Sequence, residues 1–505
     1  MKEASINTPE RALDHAFFGH PKGLQTLFLT EMWERMSYYG MRGLLVLFMT
    51  AALQEGGLAM TTATATAIYG LYTASVYFMG LPGGWIADRL TGGQKAIWYG
   101  GIIIMCGHII LAIPNDNTFF IGLIFVVIGT GLLKPNIGAV VGQLYSRTDE
   151  RRDSGYAIYY MGINVGSVIG YTVCGWLAAN AGWHYAFGAA AVGMAFGLIH
   201  FRMTVANLRG VSAQPSVRMS PKVERRSWMT IAAFLLAVVL VTAMIMSGNL
   251  TIDAISLAQK TAVGFTAMFF LYFGFIYFRG KLSPTEKKGM WALMLVCIAS
   301  ACFWSGFEQA GSSLNLFARD YADRVIGGYE IPIIWFQNAN PIFIILLTPI
   351  FAAIWIQLGR RMVSPAYGIK CAVGLMIMAS GFGVMVIAAQ VAAGGMQAAP
   401  FYLILTYFLH TVGELCLSPI ALSAVSKLSP QRFIGQMMGV FVLTYSIGNI
   451  IAGLLAGNFD PSNVAEMPSL FKQIATFTFG IGAVVLVIAL VSKNWETEVV
   501  QNAKD

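Results

Sequence analysis

The sequence predicts an all-α polytopic membrane protein: fourteen transmembrane helices arranged 6 + 2 + 6, with both termini cytoplasmic. Three observations carry this reading. Charged residues make up 11% of the 505 and hydrophobic residues 57%, whereas soluble domains carry about 25% charge. Apolar runs of bilayer-spanning length recur along the whole chain. Finally, Lys and Arg alternate between the connecting segments. With the N-terminus inside, the cytoplasmic segments collect 25 of the 32 basic residues. The opposite loops hold Lys260, Arg319, Arg324 and Lys472, and Arg35, Arg42 and Lys134 lie inside spans. One missed helix would scramble that alternation.

The elements follow in order. The first 22 residues carry Lys2, Glu3, Glu10, Arg11, Asp14 and Lys22 with no apolar core, so they are not a signal peptide and the first span directs insertion. The spans fall at 24–52, 64–86, 95–113, 119–145, 155–180 and 184–203, then 229–247 and 260–279. The last six are 289–318, 333–358, 365–391, 400–427, 434–457 and 468–492. Residues 1–203 form the N-terminal six-helix bundle. Residues 204–228, with five basic residues and two prolines, form a cytoplasmic linker. Residues 229–287 form a two-helix hairpin whose span interiors lack ionisable groups, placing it outside the working core. Residues 288–505 form the C-terminal six-helix bundle. Trp85-Ile-Ala-Asp-Arg89 is echoed by Trp355-Ile-Gln-Leu-Gly-Arg-Arg361, as internal repeats of secondary transporters would require. The net charge of +8 reflects loop placement, not nucleic-acid binding. Cysteines 106, 174, 297, 302, 371 and 416 all lie in apolar runs, without CxxC or neighbouring His. This argues for packing residues and against a disulfide or a metal site.

Function is sought where polar groups interrupt the apolar pattern. The stretch Glu31–Arg42, EMWERMSYYGMR, puts Glu31, Arg35, Tyr38 and Arg42 on one helical face with Glu34 beside them. Each charge at a bilayer centre costs about 2.5–3.5 kcal/mol, so such groups are kept paired or mark an ion or substrate path. Three more lie deep in spans: Lys134 in GTGLLKPNIG, Glu308 in FWSGFEQAG and Glu414 in HTVGELCLSP. Four acids against three bases suit a core of exchangeable ion pairs, one of which carries a proton, and leave room for a cationic group. Tyr38, Tyr39, Tyr72, Asn164, Gln337 and Asn340 fall where spans would line a small polar pocket with aromatic walls. Taken singly, each reads as a satisfied interhelical contact; it is together that they resemble a pocket. His410, four residues before Glu414, reads as a core histidine or a proton relay. There is no GxxxxGK[ST], GxSxG or HExxH, so neither ATP chemistry nor an enzyme is indicated. An ion gradient must supply the energy.

EMWERMSYYGMR resembles the ExxERFxYYGMR signature of the proton-dependent oligopeptide transporters, the POT or PTR2 family of the major facilitator superfamily, in its bacterial form. GGWIADRLTGGQK is similar to that superfamily's loop between helices 2 and 3. YAIYYMGINVGSVIG resembles the second family signature, FYxxINxG, while FEQ, FQNANP and GELCLSP resemble marks on the seventh, eighth and tenth core helices. The resemblance spans nearly the whole chain. It implies proton-driven import of di- and tripeptides by alternating access in a bacterial inner membrane, with protons as coupling ion and no other cofactor. Arg35 and Lys134 would then grip the peptide carboxylate, and Asn164, Asn340 and Glu414 its amino end, with Tyr38, Tyr39 and Tyr72 along the backbone. Glu31, Glu34, Arg35 and Lys134 would form the proton-linked network, and Glu308 would trade a pair with Arg42 for a proton. The chain departs from the pattern at Met36 and Tyr159, each in place of Phe. Gly70 stands where animal members carry His, and Phe441 where some bacterial relatives have a pocket Trp. A same-fold carrier for another small anion or a drug-like solute, nitrate among them, is the alternative. A channel would need a continuous pore. Peptide length preference and oligomeric state are not written in the sequence.

Overall fold

The computed structural model describes residues 14–146, 149–360 and 365–502. The polar leader up to Arg11 and Arg361 of the second echo lie outside the described residues. Among the described residues the first six helices are α1 (Lys22–Thr50), α2 (Thr62–Ile86), α3 (Gly93–Leu111), α4 (Asp116–Gln143), α5 (Arg152–Asn180) and α6 (Trp183–Thr204). Then come α7 (Pro221–Met246), α8 (Ala254–Arg279), α9 (Pro284–Phe307) and α10 (Ser313–Asp320). The chain closes with α11 (Ala339–Arg360), α12 (Tyr367–Ala393), α13 (Pro400–Leu428), α14 (Ile434–Ala456) and α15 (Met467–Asn502). A two-residue hairpin, β1 (Val325–Ile326) and β2 (Tyr329–Glu330), links α10 to α11.

All fourteen expected spans are helical. The run 289–318 is one span in two pieces: α9 ends at Phe307, a 3-10 turn covers Glu308–Gly311, and α10 follows. Twelve spans are long and apolar enough to cross a bilayer on composition alone. Those that fall short are α1, which carries Glu31, Glu34, Arg35 and Arg42, and the Thr- and Gly-rich α2. The segment expected as a linker is partly ordered into helix. Val205–Leu208 is a 3-10 turn and α7 begins at Pro221, whose missing N–H suits a first helical position. Between them, Gln94 donates to the Val211 carbonyl at 2.7 Å and Val217 N–H to that of Asp88 at 3.0 Å, fastening the segment to the α2–α3 turn.

The fold divides into two compact units. One comprises the described residues up to Leu44 together with Phe78–Asp253; the other comprises Leu45–Tyr77 and the residues from Ala254 onward. In the first, α3 packs on α4 and α6, and α5 on α6, around Leu24, Leu27, Ile104, Leu133, Ile137, Met194 and Phe201. Pro135 lies within α4 without ending it. Beside it, Asn136 donates to the carbonyls of Leu132 at 2.6 Å and of Gly83 on α2 at 3.3 Å, satisfying backbone inside an apolar layer. At one end of this unit His20, 6% exposed, meets the Tyr145 hydroxyl at 2.9 Å and Ser154 at 3.4 Å. Burial and the neighbouring Arg151 charge hold the imidazole below its usual range. The hydrogen bond from Arg151 likewise holds Asp149 low. In the second unit α9 packs on α14 and α15, α12 on α13 and α15, α11 on α13, and α8 on α14. Helix α7 buries none of its residues, and α8 buries Ala258, Phe269, Phe273 and Ile276.

Candidate functional site

The first unit presents a cationic pole. On α1, Arg35 Nε lies 3.0 Å from Glu31 Oε1 and 2.5 Å from Glu34 Oε2, with all three side chains at most 2% exposed. The i, i+4 spacing read from the sequence makes the first contact; the second uses the adjacent residue. The Arg35 guanidinium also sits over the Tyr38 ring at 5.1 Å and the Tyr39 ring at 5.9 Å. Arg42 lies over the same rings at 6.0 and 5.5 Å, so two cations share one aromatic pair. Aromatic faces stabilise such cations by about 0.5–2 kcal/mol where solvent is excluded. Lys134, half-buried on α4, acts electrostatically on Glu34, Glu31, Arg35 and Arg42. Helix α5 must approach α1 closely for this stripe to seat. A Cβ at Gly166 would come within 2.2 Å of the Met32 carbonyl oxygen and 3.1 Å of Arg35 Cβ, so the glycine of INVGS is required directly beneath Arg35. Asn164, two residues earlier, is 4% exposed. Its Nδ2 donates to the Tyr160 carbonyl at 3.0 Å, leaving the amide oxygen to accept.

The second unit presents an acidic pole. Glu414 on α13, 8% exposed, accepts from Asn340 Nδ2 on α11 at 3.1 Å. The same nitrogen reaches Thr411 Oγ1 at 3.0 Å. Glu308, 1% exposed, opens the 3-10 turn at the break between α9 and α10, and its charge is felt at Glu414. Gln337 is 3% exposed, and its Nε2 has no hydrogen-bond partner among the described residues. It is therefore a buried donor in reserve. Tyr72 is 5% exposed in the same unit. The same unit holds an aromatic cluster: Trp304 lies 4.8 Å from Tyr445, and Tyr445 lies 5.3 Å from Tyr77 and 5.4 Å from Phe441.

Thus Glu31, Glu34, Arg35, Tyr38, Tyr39, Arg42, Lys134 and Asn164 belong to the first unit. Tyr72, Glu308, Gln337, Asn340 and Glu414 belong to the second. A family model described as the POT family matches residues 94–473. The chain belongs to the POT family. The peptide transporter YePEPT of Yersinia enterocolitica is 39% identical over 501 residues, 97% of each chain. A di-/tripeptide transporter of Lactococcus lactis subsp. cremoris is 32% identical over 493 residues, 95% of this chain and 96% of that one. Among solved structures, a peptide transporter POT in complex with sulfate superposes with a TM-score of 0.90 at 35% identity, covering 97% of this chain and 99% of the other. A POT family transporter in complex with 5-aminolevulinic acid gives 0.87 at 32%, covering 96% and 100%.

The departures from the POT signatures acquire physical reasons. Met36 is 4% exposed, and its thioether packs on Gly193 of α6, where a Cβ would lie 2.3 Å from Sδ. Gly70 abuts α14: a Cβ there would sit 3.0 Å from the Asn449 carbonyl oxygen and 3.1 Å from Gly453 Cα, leaving no room for the imidazole of animal POT proteins. Phe441 is 1% exposed against Tyr445. His410 turns to α12, its ring 4.7 Å from that of Phe382, while Glu414 turns to α11; of the two expectations, the core histidine fits. Sequence reasoning missed Thr411, Trp304, Tyr445 and Tyr77, and gave Tyr159 no role. Tyr159 is 8% exposed and packs in the apolar layer of the first unit. Its only sequence signal was the replaced Phe. The others carried none, because Thr and aromatics are ordinary inside spans.

Proposed function

We infer that this POT family member is a carrier of di- and tripeptides driven by protons, a multi-pass protein of the bacterial inner membrane with both termini in the cytoplasm. The observation that carries this reading is the opposite polarity of the two units. Buried cations over aromatic rings stand in one, and a carboxylate with an oriented amide in the other. Every di- or tripeptide carries a carboxylate, which such cations suit, and an ammonium, which such a carboxylate and amide suit, whatever its side chains. Arg35 and Lys134 take the carboxylate. Glu414 and Asn340 take the amino end, with the Asn164 oxygen as a further acceptor. Tyr38, Tyr39, Tyr72 and Gln337 serve the peptide backbone.

Proton coupling needs an acid whose partner leaves during the cycle. Glu31, Glu34, Arg35 and Lys134 form a network in which one charge can replace another, since Arg35 already contacts two carboxylates. Glu308, at a helix break where backbone is free to bend, is the acid that takes up and releases the coupling proton. Purified protein in proteoliposomes tests the reading. An inward proton gradient with an inside-negative potential should concentrate labelled dialanine, and unlabelled dialanine and trialanine should compete. Uptake indifferent to both gradients would reject proton coupling. Competition by 5-aminolevulinate but not by dialanine would favour the small-solute alternative, because that molecule has both charged ends and no peptide bond.

A further inference from the structure

We propose that Thr411 is a positioning residue for substrate selection: it locks the Asn340 side-chain amide so that, together with Glu414, it presents acceptors only, and thereby selects a free amino terminus. Thr411 is fully buried, and its hydroxyl donates to the Tyr407 carbonyl one turn earlier at 2.7 Å. A hydroxyl has one hydrogen, so toward Asn340, 3.0 Å away, Thr411 can only accept. Asn340 must therefore turn Nδ2 to it. That nitrogen has two hydrogens, and the second goes to Glu414 Oε2 at 3.1 Å.

Both donors of the amide are thus consumed, and Oδ1 is turned away from them. Asn340 Oδ1 and Glu414 Oε1 take no part in these two bonds, and neither is among the sealed polar atoms left without a partner. The half-buried Asn340 therefore contributes one carbonyl-type acceptor beside a carboxylate oxygen. A primary ammonium brings three N–H donors and matches this pair. An acetylated amino end brings one donor and a carbonyl oxygen, for which no donor remains.

Glu414 alone could not enforce this selection. A carboxylate rejects the amide oxygen, but a protonated carboxyl can donate to it, so the amide could turn over whenever Glu414 is neutral. Thr411 cannot donate in either state, because its hydrogen is committed to the helix. It holds one orientation through the whole cycle.

The inference rests on the peptide-carrier reading, and its test separates the two. Purified full-length chain is titrated with dialanine, N-acetyldialanine and alaninamide by ligand-induced thermal stabilisation, and dialanine uptake is followed in proteoliposomes. For T411V we expect the dialanine KM to rise roughly tenfold, the worth of one lost hydrogen-bond partner, with turnover within twofold of the parent. The preference for dialanine over its N-acetyl form should narrow, and T411S should restore both values. T411A carries the same expectation if T411V does not fold. Unchanged KM and unchanged preference would overturn the inference. So would a loss of turnover that T411S shares, which would mark a purely structural role. Alaninamide has the ammonium and no carboxylate, so its binding judges Thr411 even if dialanine is not a substrate. Binding to the parent that T411V weakens supports the assignment; equal binding, or none to the parent, refutes it.

Discussion

Replacing Arg35 by Met, alone and with Glu34→Gln, tests whether the α1 cluster is an interdependent charge set. Arg35 stands 3.0 Å from one carboxylate oxygen and 2.5 Å from another, with nothing in the triad more than 2% exposed. Methionine keeps the length and apolar bulk of the stem, so the cavity term is small and electrostatics decide. Removing one partner of a buried pair typically costs about 3–5 kcal/mol, because the remaining charge keeps its desolvation penalty. Here two acids are left behind. For a cooperative unit of some 150–250 residues, 1 kcal/mol shifts the melting midpoint by about 2–4 °C, so R35M should melt roughly 6–20 °C lower in detergent. Adding E34Q removes one stranded acid and should return part of that loss. The double-mutant cycle should then show a coupling of about 1–3 kcal/mol. Tryptophan fluorescence melts of the four proteins supply the cycle, and dialanine should no longer stabilise either R35M variant. Melting of R35M within about 2 °C of the parent, or strictly additive effects, would refute the interdependence.

Further outcomes can be checked with the same preparations. E308Q should abolish gradient-driven accumulation of dialanine while retaining peptide counterflow; intact concentrative uptake would remove Glu308 from proton coupling. G453A should destabilise strongly, because a Cβ there would lie 2.4 Å from the Thr66 carbonyl oxygen and 2.8 Å from Gly70 Cα. Overpacking costs about 1–3 kcal/mol, and a midpoint equal to the parent's would show that the helices part more easily than their contact suggests. His20 prefers its neutral form in the fold, so the unfolded chain takes the proton first as pH falls. Its contribution to stability is complete above about 6.5 and is lost as pH drops through the window below that value. H20N should flatten this part of the pH–stability profile. Arg151, Asp149 and His15 also act on the ring, and a slope identical in parent and H20N would refute the assignment to His20.

Much of this was legible in the chain. Span number and helical state follow from composition and run length, since a bilayer leaves a backbone little choice but to bond within its own helix. The α1 stripe follows from 3.6-residue periodicity, and the Glu31–Arg35 contact was written in its spacing. Tertiary structure alone decided which distant residues meet. The break at Glu308 lies inside a run that reads as continuous helix, and only the coordinates show α9 and α10 as separate pieces. Nothing in the sequence says that Thr411 meets Asn340 71 residues away, or that His410 and Glu414, one turn apart, face different helices. Periodicity assigns a residue to a side of its own helix; which neighbour stands on that side is set by packing across the whole bundle. That is why the charges could be found by reading, and the amide that Thr411 orients could not.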